Sequence, residues 1–464
     1  MMSGSASQIV VFIALLIYST GSSGSSLGDG KPKIRCKEAE RQALLRIKDD
    51  LYNSTVGTFP SSWGNEEEKR ECCEWSGISC DNKSGHVVKL DLSNGNAGGL
   101  FIGNMSSSLV ELQYLSYLDL SGSSSVDGSF IPHFIGRLGK LRYLNLSYTS
   151  LSGEIPPQLG NLSRLQYLDL GHNYQLEIKS LESISRLSSL RLLDLSSANM
   201  SNAHDWVHVV NNLPHLTNLK LRGCGLPDTV PPSLSLVNSS TFLAVVDLSG
   251  NPLSASVFLW LFNYSRSLVD LDLSSSLSNT SIPEAFGNLA ALESLNLAFN
   301  ELGGPIPKSF GNMTALVNLD LSGNQLEGSI PQGFGNMTFL QYLDLGNNML
   351  SGEIPKSIWQ ICSLQHFRAY NNSLSGQLQF TESATRCAHF PLEILDLEKN
   401  RIVGSLPNFT LYPLLKELWL NSNQLNGNVS KSLGQLSKLE ILQIPDNSLN
   451  SEDASWVLLS QNGS

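Results

Sequence analysis

A single pattern recurs along almost the whole chain. "LDLSGNQLEGSIPQGFGNMTFL" occupies residues 319–340, and "QYLDLGNNMLSGEIPKSIWQ" continues it directly. Taking LxxLxLxxNxL as the unit, repeats begin at Val87, Leu115, Leu141, Leu165, Leu190, Leu216, Leu243, Leu268, Leu292, Leu316, Leu340, Leu364, Leu392, Leu415 and Leu439. That is about fifteen units, most of them 24 residues long and the last incomplete. A fixed period of this size means a stack of small supersecondary units, none of which can bury its apolar face alone.

The spacing within a unit has a mechanical meaning. Leu319 with Leu321, and Leu343 with Leu345, have the period-2 spacing of a strand with one buried face. The ninth position carries Asn300, Asn324, Asn348, Asn372, Asn400, Asn423 and Asn447. An amide turned inward there can bond backbone groups that a turn would otherwise leave unpaired in the core. "SGxIP" then crosses the edge, and "xxLGNL" returns along the back. The ladder is less regular toward the N-terminus, where Gly95, Ser123, Thr149, Ala198 and Cys224, and later Ser276, hold the ninth place. Cys224 reads as a buried thiol filling an Asn site. The expected fold is an α/β repeat solenoid with a long parallel sheet lining its concave side.

Export is expected on three grounds. Residues 1–24 hold a ten-residue apolar run, Ile9 to Tyr18, too short to span a bilayer and suited to a cleaved signal peptide, although no Lys or Arg precedes it. Asn-x-Ser/Thr sequons are abundant, among them Asn145, Asn161, Asn199, Asn263, Asn312 and Asn336. Four of the seven cysteines cluster near the mature N-terminus. The net charge of -11 argues against nucleic acid, which needs a basic face.

The unit "LxxLxLxxNxLSGxIPxxLGNLxx" resembles the plant-specific extracellular class of leucine-rich repeat. Residues 36–83, with "ALLRIKDDL" and "CCEWSGISC", resemble the N-terminal cap of that family, and repeats then fill residues 87–464. Ala43, Leu44, Ile47 and Leu51 form the apolar face of a short helix, which with Trp63 would cover the open first repeat. The resemblance implies that Cys36 pairs with Cys72 and Cys73 with Cys80; four cysteines by themselves allow three connectivities. Cys362 and Cys387 lie late in adjacent repeats, as such a pair often does in receptor-like relatives, and are expected to form a third disulfide, with two free thiols as the alternative. The stretch 201–234 resembles a segment typical of plant receptor-like proteins, cell-surface receptors without a kinase of their own.

No enzymatic constellation stands out. His204 and His208 are four residues apart with Asp205 between them, but there is no HExxH. "GSSLG" at 24–28 lacks a strand–turn–helix setting, and no P-loop or kinase set is present. The chain is read as a non-enzyme with no cofactor and no metal.

Recognition remains, and the third, fifth and seventh positions of each unit point off the inner face. The fifth is usually Asp, read as scaffold. Breaks in that pattern are the candidates: Lys220 with Arg222, then His366, Arg368 and Tyr370, then Trp419 beside Glu417. Tyr117, Tyr143 and Tyr167 take successive third positions, an exposed row if strands lie about 4.8 Å apart. Tyr, Trp and Arg dominate binding surfaces; the plainer reading is that the tyrosines only stack and the charges pair with nearby Asp. A sugar on Asn145, an outward fifth position, would shield the row. Sequons Asn161, Asn263, Asn312 and Asn336 all fall at position 21, so their sugars would line one edge and leave another for a co-receptor.

The resemblance implies the ectodomain of a plant cell-surface receptor in defence or development. It would bind an extracellular peptide, protein or glycan and signal through a partner kinase, with a membrane anchor only beyond this chain. The alternatives are a secreted inhibitor resembling polygalacturonase-inhibiting proteins, and the outer part of a receptor kinase. Because the chain stops inside its fifteenth unit, truncation is the expected explanation for the missing C-terminal cap.

Overall fold

The computed structural model describes residues 35–51, 60–93, 105–122, 128–228, 242–380, 387 and 390–450. The expected signal peptide, the "GSSLG" motif, Gly95, Ser123 and residues 451–464 lie outside these.

The helix Glu38–Leu51 opens the described chain and buries Ala43, Leu44, Ile47 and Leu51. Trp63 packs under it, its indole N–H donating to the Ser76 carbonyl at 2.9 Å and its ring stacked on Trp75 at 4.9 Å. A buried carboxylate ties the helix to the first repeat. Glu40 Oε2 accepts the Val87 N–H at 2.7 Å, and its Oε1 meets His86 Nδ1 at 2.8 Å. Disulfides join Cys36 to Cys72 and Cys73 to Cys80. The strand Ile78–Cys80 pairs antiparallel with Val87–Asp91 and closes the sheet edge at this end, as an edge of unpaired backbone requires.

From Val87–Asp91 to Ile441–Gln443, fifteen strands run parallel in one concave sheet among the described residues. Their register is in rungs: Leu319 faces Leu343, and Leu343 faces Phe367, all fully buried. The ninth-position amides hold successive units together. Asn324 Nδ2 donates to the carbonyls of Leu297, in the preceding unit, and Leu321, at 2.9 and 3.0 Å. Its Oδ1 accepts the Leu302 N–H at 3.1 Å. Asn173 and Asn251 do the same in the half the sequence reading counted as irregular. Where the ladder lacks Asn, a shorter donor keeps one bond: Thr149 Oγ1 to Leu146, Ser276 Oγ to Leu248, and Cys224 Sγ to Leu195 at 3.2 Å. Burial pushes the Cys224 thiol up to about 12.

The "SGxIP" segment is more than a crossing. Strands such as Leu302–Pro305, Gln325–Gly328, Met349–Glu353 and Ser373–Ser375 form a second, short parallel sheet along one side. Gly352, within the strand Met349–Glu353, stands at φ 81°, a backbone conformation that residues with a Cβ resist. On the back, single turns such as Lys308–Asn312 and Gln332–Asn336 stack Phe286, Phe310 and Phe334 into a fully buried file.

Two units replace that turn with the helices Trp206–Asn211 and Ser256–Leu261. Here buried Asn211 Oδ1 accepts both the Trp260 indole N–H at 2.9 Å and the Tyr264 hydroxyl at 2.7 Å, which satisfies every polar tip the swap brings inside. Asp205, read as part of a possible metal pair, takes the Leu181 N–H and the Ser180 hydroxyl instead, and His208 Nε2 meets Asn212.

Candidate ligand-binding face

The concave face is a ladder of acids, broken among the described residues at Asn145, Lys220, Asn296, Arg368, Trp419 and Gln443. At the fifth position, Asp Oδ1 accepts the N–H two residues on, as in Asp320 to Ser322 at 3.0 Å and Asp344 to Gly346 at 2.9 Å. This bond draws the carboxylates down: Asp91, Asp119 and Asp344 are buried rather than standing free. Burial, with Asp194 alongside, pushes Asp169 up to about 7, and burial pushes Asp344 and Asp396 up to about 6.

The tyrosine row forms, but it is half-buried rather than exposed. Tyr117, Tyr143 and Tyr167 stack at 4.1 and 4.2 Å with their rings nearly parallel. Their hydroxyls donate to Asp119 Oδ2, twice, and Asp169 Oδ2, each at 3.3 Å. Burial raises all three phenols, Tyr143 to about 12. The row therefore satisfies itself, which is the plainer of the two readings. Asn145 is buried too: Oδ1 accepts from Ser147, and Nδ2 faces Asp119 at 3.4 Å. A sugar has no access to it as folded. Among the described sequons Asn145 alone is buried; Asn161, Asn263, Asn312 and Asn336 are exposed.

Two of the breaks place cations inside the acid ladder. Lys220 stands between Asp194 and Asp247 on the neighbouring strands, with Arg222 exposed beyond it. Arg368 stands between Asp344 and Asp396, and Trp419 follows Asp396 on the next strand. Among the described residues neither Lys220 nor Arg368 closes an ion pair; the contacts of this type nearby are Lys416 with Glu393 and Lys399 with Glu398. Arg368 is thus balanced by two carboxylates without being committed to either.

Around Arg368 the surface turns aromatic. Tyr342 meets His366 edge-on at 5.9 Å. Burial, and then Arg368, hold His366 below the usual imidazole value. The Tyr370 ring lies on the backbone of Gly346, where a Cβ would collide with it, and its hydroxyl accepts from Asn347 at 3.2 Å. Trp419 N–H donates to Glu417 at 3.1 Å.

Six strands separate Lys220 from Arg368, about 29 Å at 4.8 Å per strand, so the candidates divide into separate patches on one face. Two features escaped the sequence reading: the flanking of each cation by acids on both sides, and the open amide at Asn421, whose Nδ2 bonds Glu398 while its buried Oδ1 has no partner. The first was legible from the register once the repeats were aligned. A Cys362–Cys387 disulfide pins the long unit that follows Arg368.

Fold, cap and ladder define a plant-type leucine-rich-repeat solenoid. Family profiles agree: one described as "Leucine rich repeat N-terminal domain" matches residues 37–81, and leucine-rich-repeat profiles match 266–326, 140–162 and 339–361. The chain is 41% identical over 304 residues to "Receptor-like protein EIX1" of Solanum lycopersicum, covering 63% of this chain and 28% of that protein. It is also 41% identical over 277 residues to "Receptor-like protein EIX2" of the same species, covering 58% and 26%. The chain therefore spans little more than a quarter of these relatives. Among solved structures, "Crystal structure of PEPR1-AtPEP1" superposes with a TM-score of 0.65 at 26% identity, covering 89% of this chain and 59% of that one. The chain thus carries a leucine-rich-repeat N-terminal domain and leucine-rich repeats, and it is similar to plant receptor-like proteins over the stretch it shares with them.

Proposed function

We propose that this chain is the recognition ectodomain of a plant cell-surface receptor in defence or development. It binds an extracellular ligand on the concave face around Arg368, with a peptide or a protein as the best fit, and acts through a partner kinase. The observation that carries this reading is Arg368 itself: a cation on a half-buried strand, uncommitted between Asp344 and Asp396, with Tyr370 two residues on and Trp419 two strands away, past Asp396. A ligand carboxylate or carbonyl can take the guanidinium in a forked contact while an apolar group rests on the rings. The PEPR1–AtPEP1 structure shares this concave architecture. The exposed sequons Asn161, Asn263, Asn312 and Asn336 lie toward the back, so a co-receptor reaches the molecule from the edge bearing the short lateral sheets.

The test is binding of candidate elicitor peptides and proteins to immobilised ectodomain, wild type against Arg368→Glu and Trp419→Ala. A ligand of this face loses at least tenfold in affinity to each variant, about the 1.4 kcal/mol of one modest contact. Equal binding to all three would remove the Arg368 face from the account.

A further inference from the structure

The edge that carries the short lateral sheets also carries aromatic rings that the core does not use. Tyr148 and Tyr174 are 55% and 72% exposed. Between them His172 stacks on Tyr148 at 4.1 Å and meets Tyr174 edge-on at 6.5 Å. Tyr148 and His172 occupy eighth positions at φ 55° and 59°, where other units place Gly223, Gly250 or Gly323. Bulky side chains in this left-handed region are strained, and rings left in water regain none of that cost by burial.

The next rung of the same edge carries Asn199. It lies opposite Glu177, its N–H donating to Leu176 and its carbonyl accepting from Ile178, both at 2.8 Å. Leu176 and Ile178 are buried, while Gln175, Glu177 and Asn199 are exposed. Asn199 heads the sequon Asn199-Met200-Ser201. Its Oδ1 accepts from the N–H and hydroxyl of Ser201 at 3.1 and 2.8 Å, while the exposed residue's Nδ2 makes no hydrogen bond among the described residues.

We propose that Asn199 is N-glycosylated and that its core N-acetylglucosamines pack on the Tyr174–His172–Tyr148 corner. The proposal rests on the secretory part of the function proposed above. Transfer forms a bond from Nδ2 to C1 of the sugar and breaks its C1–O bond to a lipid-linked pyrophosphate donor, with one amide proton released. A pyranose offers an apolar C–H face, and its acetyl group a methyl, to an aromatic ring, while Gln175 and Glu177 are placed to bond its hydroxyls. A fixed sugar at this point covers the lateral edge near the Tyr row and directs a co-receptor farther along the solenoid.

The experiment uses the full chain secreted with high-mannose glycans, digested without denaturation by an endoglycosidase that cuts within the core, and followed by glycopeptide mass spectrometry. Asn199 is expected to be occupied and to be trimmed several-fold more slowly than Asn312 and Asn336. Tyr174→Ala and Tyr148→Ala should raise its trimming rate to theirs, and Tyr174→Phe should not. These side chains are exposed, so the variants fold, and unchanged melting temperatures verify it. An unmodified Asn199 in secreted protein overturns the site; trimming that is fast in wild type, or equal in wild type and alanine variants, overturns the packing. A secreted, folded chain that binds no receptor ligand leaves the glycan result readable, so the two proposals fail separately.

Discussion

Replacing Asn324 with alanine tests how the solenoid is held together. The side chain serves two units at once, since its donors reach Leu297 and Leu321 and its acceptor serves Leu302. The substitution strands the Leu302 N–H, while the Leu297 and Leu321 carbonyls each lose one of two bonds and keep those from Asn300 and Asn348. The unsatisfied N–H costs about 1–3 kcal/mol and each lost carbonyl bond about 0.5–1.5 kcal/mol, so with partial relaxation about 2–4 kcal/mol is expected. In a stack of repeats that loss is local. Hydrogen exchange should therefore quicken by roughly thirtyfold or more, and equally over residues 295–305 and 319–328. Asn324→Ser keeps one donor, as Ser276 does in its own unit, and should lie between wild type and alanine. Acceleration confined to 319–328, or smaller than tenfold in both segments, would refute the claim that the amide clamps one unit to the next.

Two further outcomes follow from buried groups. Asp169, Asp344 and Asp396 titrate in the fold at about 7, 6 and 6, above the ordinary carboxylate near 4. The folded state thus keeps protons that the unfolded chain releases, so this stability is complete below about pH 4 and is lost as pH rises through 6 to 7. The melting temperature should be higher at pH 5 than at pH 8, with Asp344→Asn narrowing the gap; a flat or rising profile between those values contradicts the buried ladder. Cys224, with its thiol pushed up to about 12, should resist alkylation at pH 8 until the protein is unfolded. Cys224→Ala should cost about 1–2 kcal/mol and Cys224→Ser less, and rapid labelling of native protein would contradict the burial.

The scaffold was legible because a repeat repeats its physics. Apolar spacing in one unit predicts every strand, and an Asn at the ninth place predicts a bond that the backbone needs in each turn. The surface was less legible, for a reason that Asp344 and Tyr143 make clear. An outward position on a concave sheet is not an exposed one: strands converge on that side, and a carboxylate can bend to the N–H two residues on, carrying its neighbour's phenol with it. The same bending hid Asn145, whose sequon is written in the chain but folded under Asp119. The lateral sheet was missed because Gly and Pro in "SGxIP" disfavour a strand taken alone; only stacked neighbours make it one. Arg368 is the instructive case. Its residue type marked it, but its uncommitted state depends on Asp344 and Asp396, which lie 24 and 28 residues away along the chain and one strand away in the fold.

The central claim, a receptor ectodomain at the cell surface, is tested most directly by immunoblotting native plant protein in membrane and apoplastic-wash fractions, before and after deglycosylation. The account predicts a membrane-bound glycoprotein whose deglycosylated mass lies well above the 50.5 kDa of this chain. A soluble apoplastic band near that mass would contradict it and leave a secreted inhibitor of a microbial enzyme as the better reading.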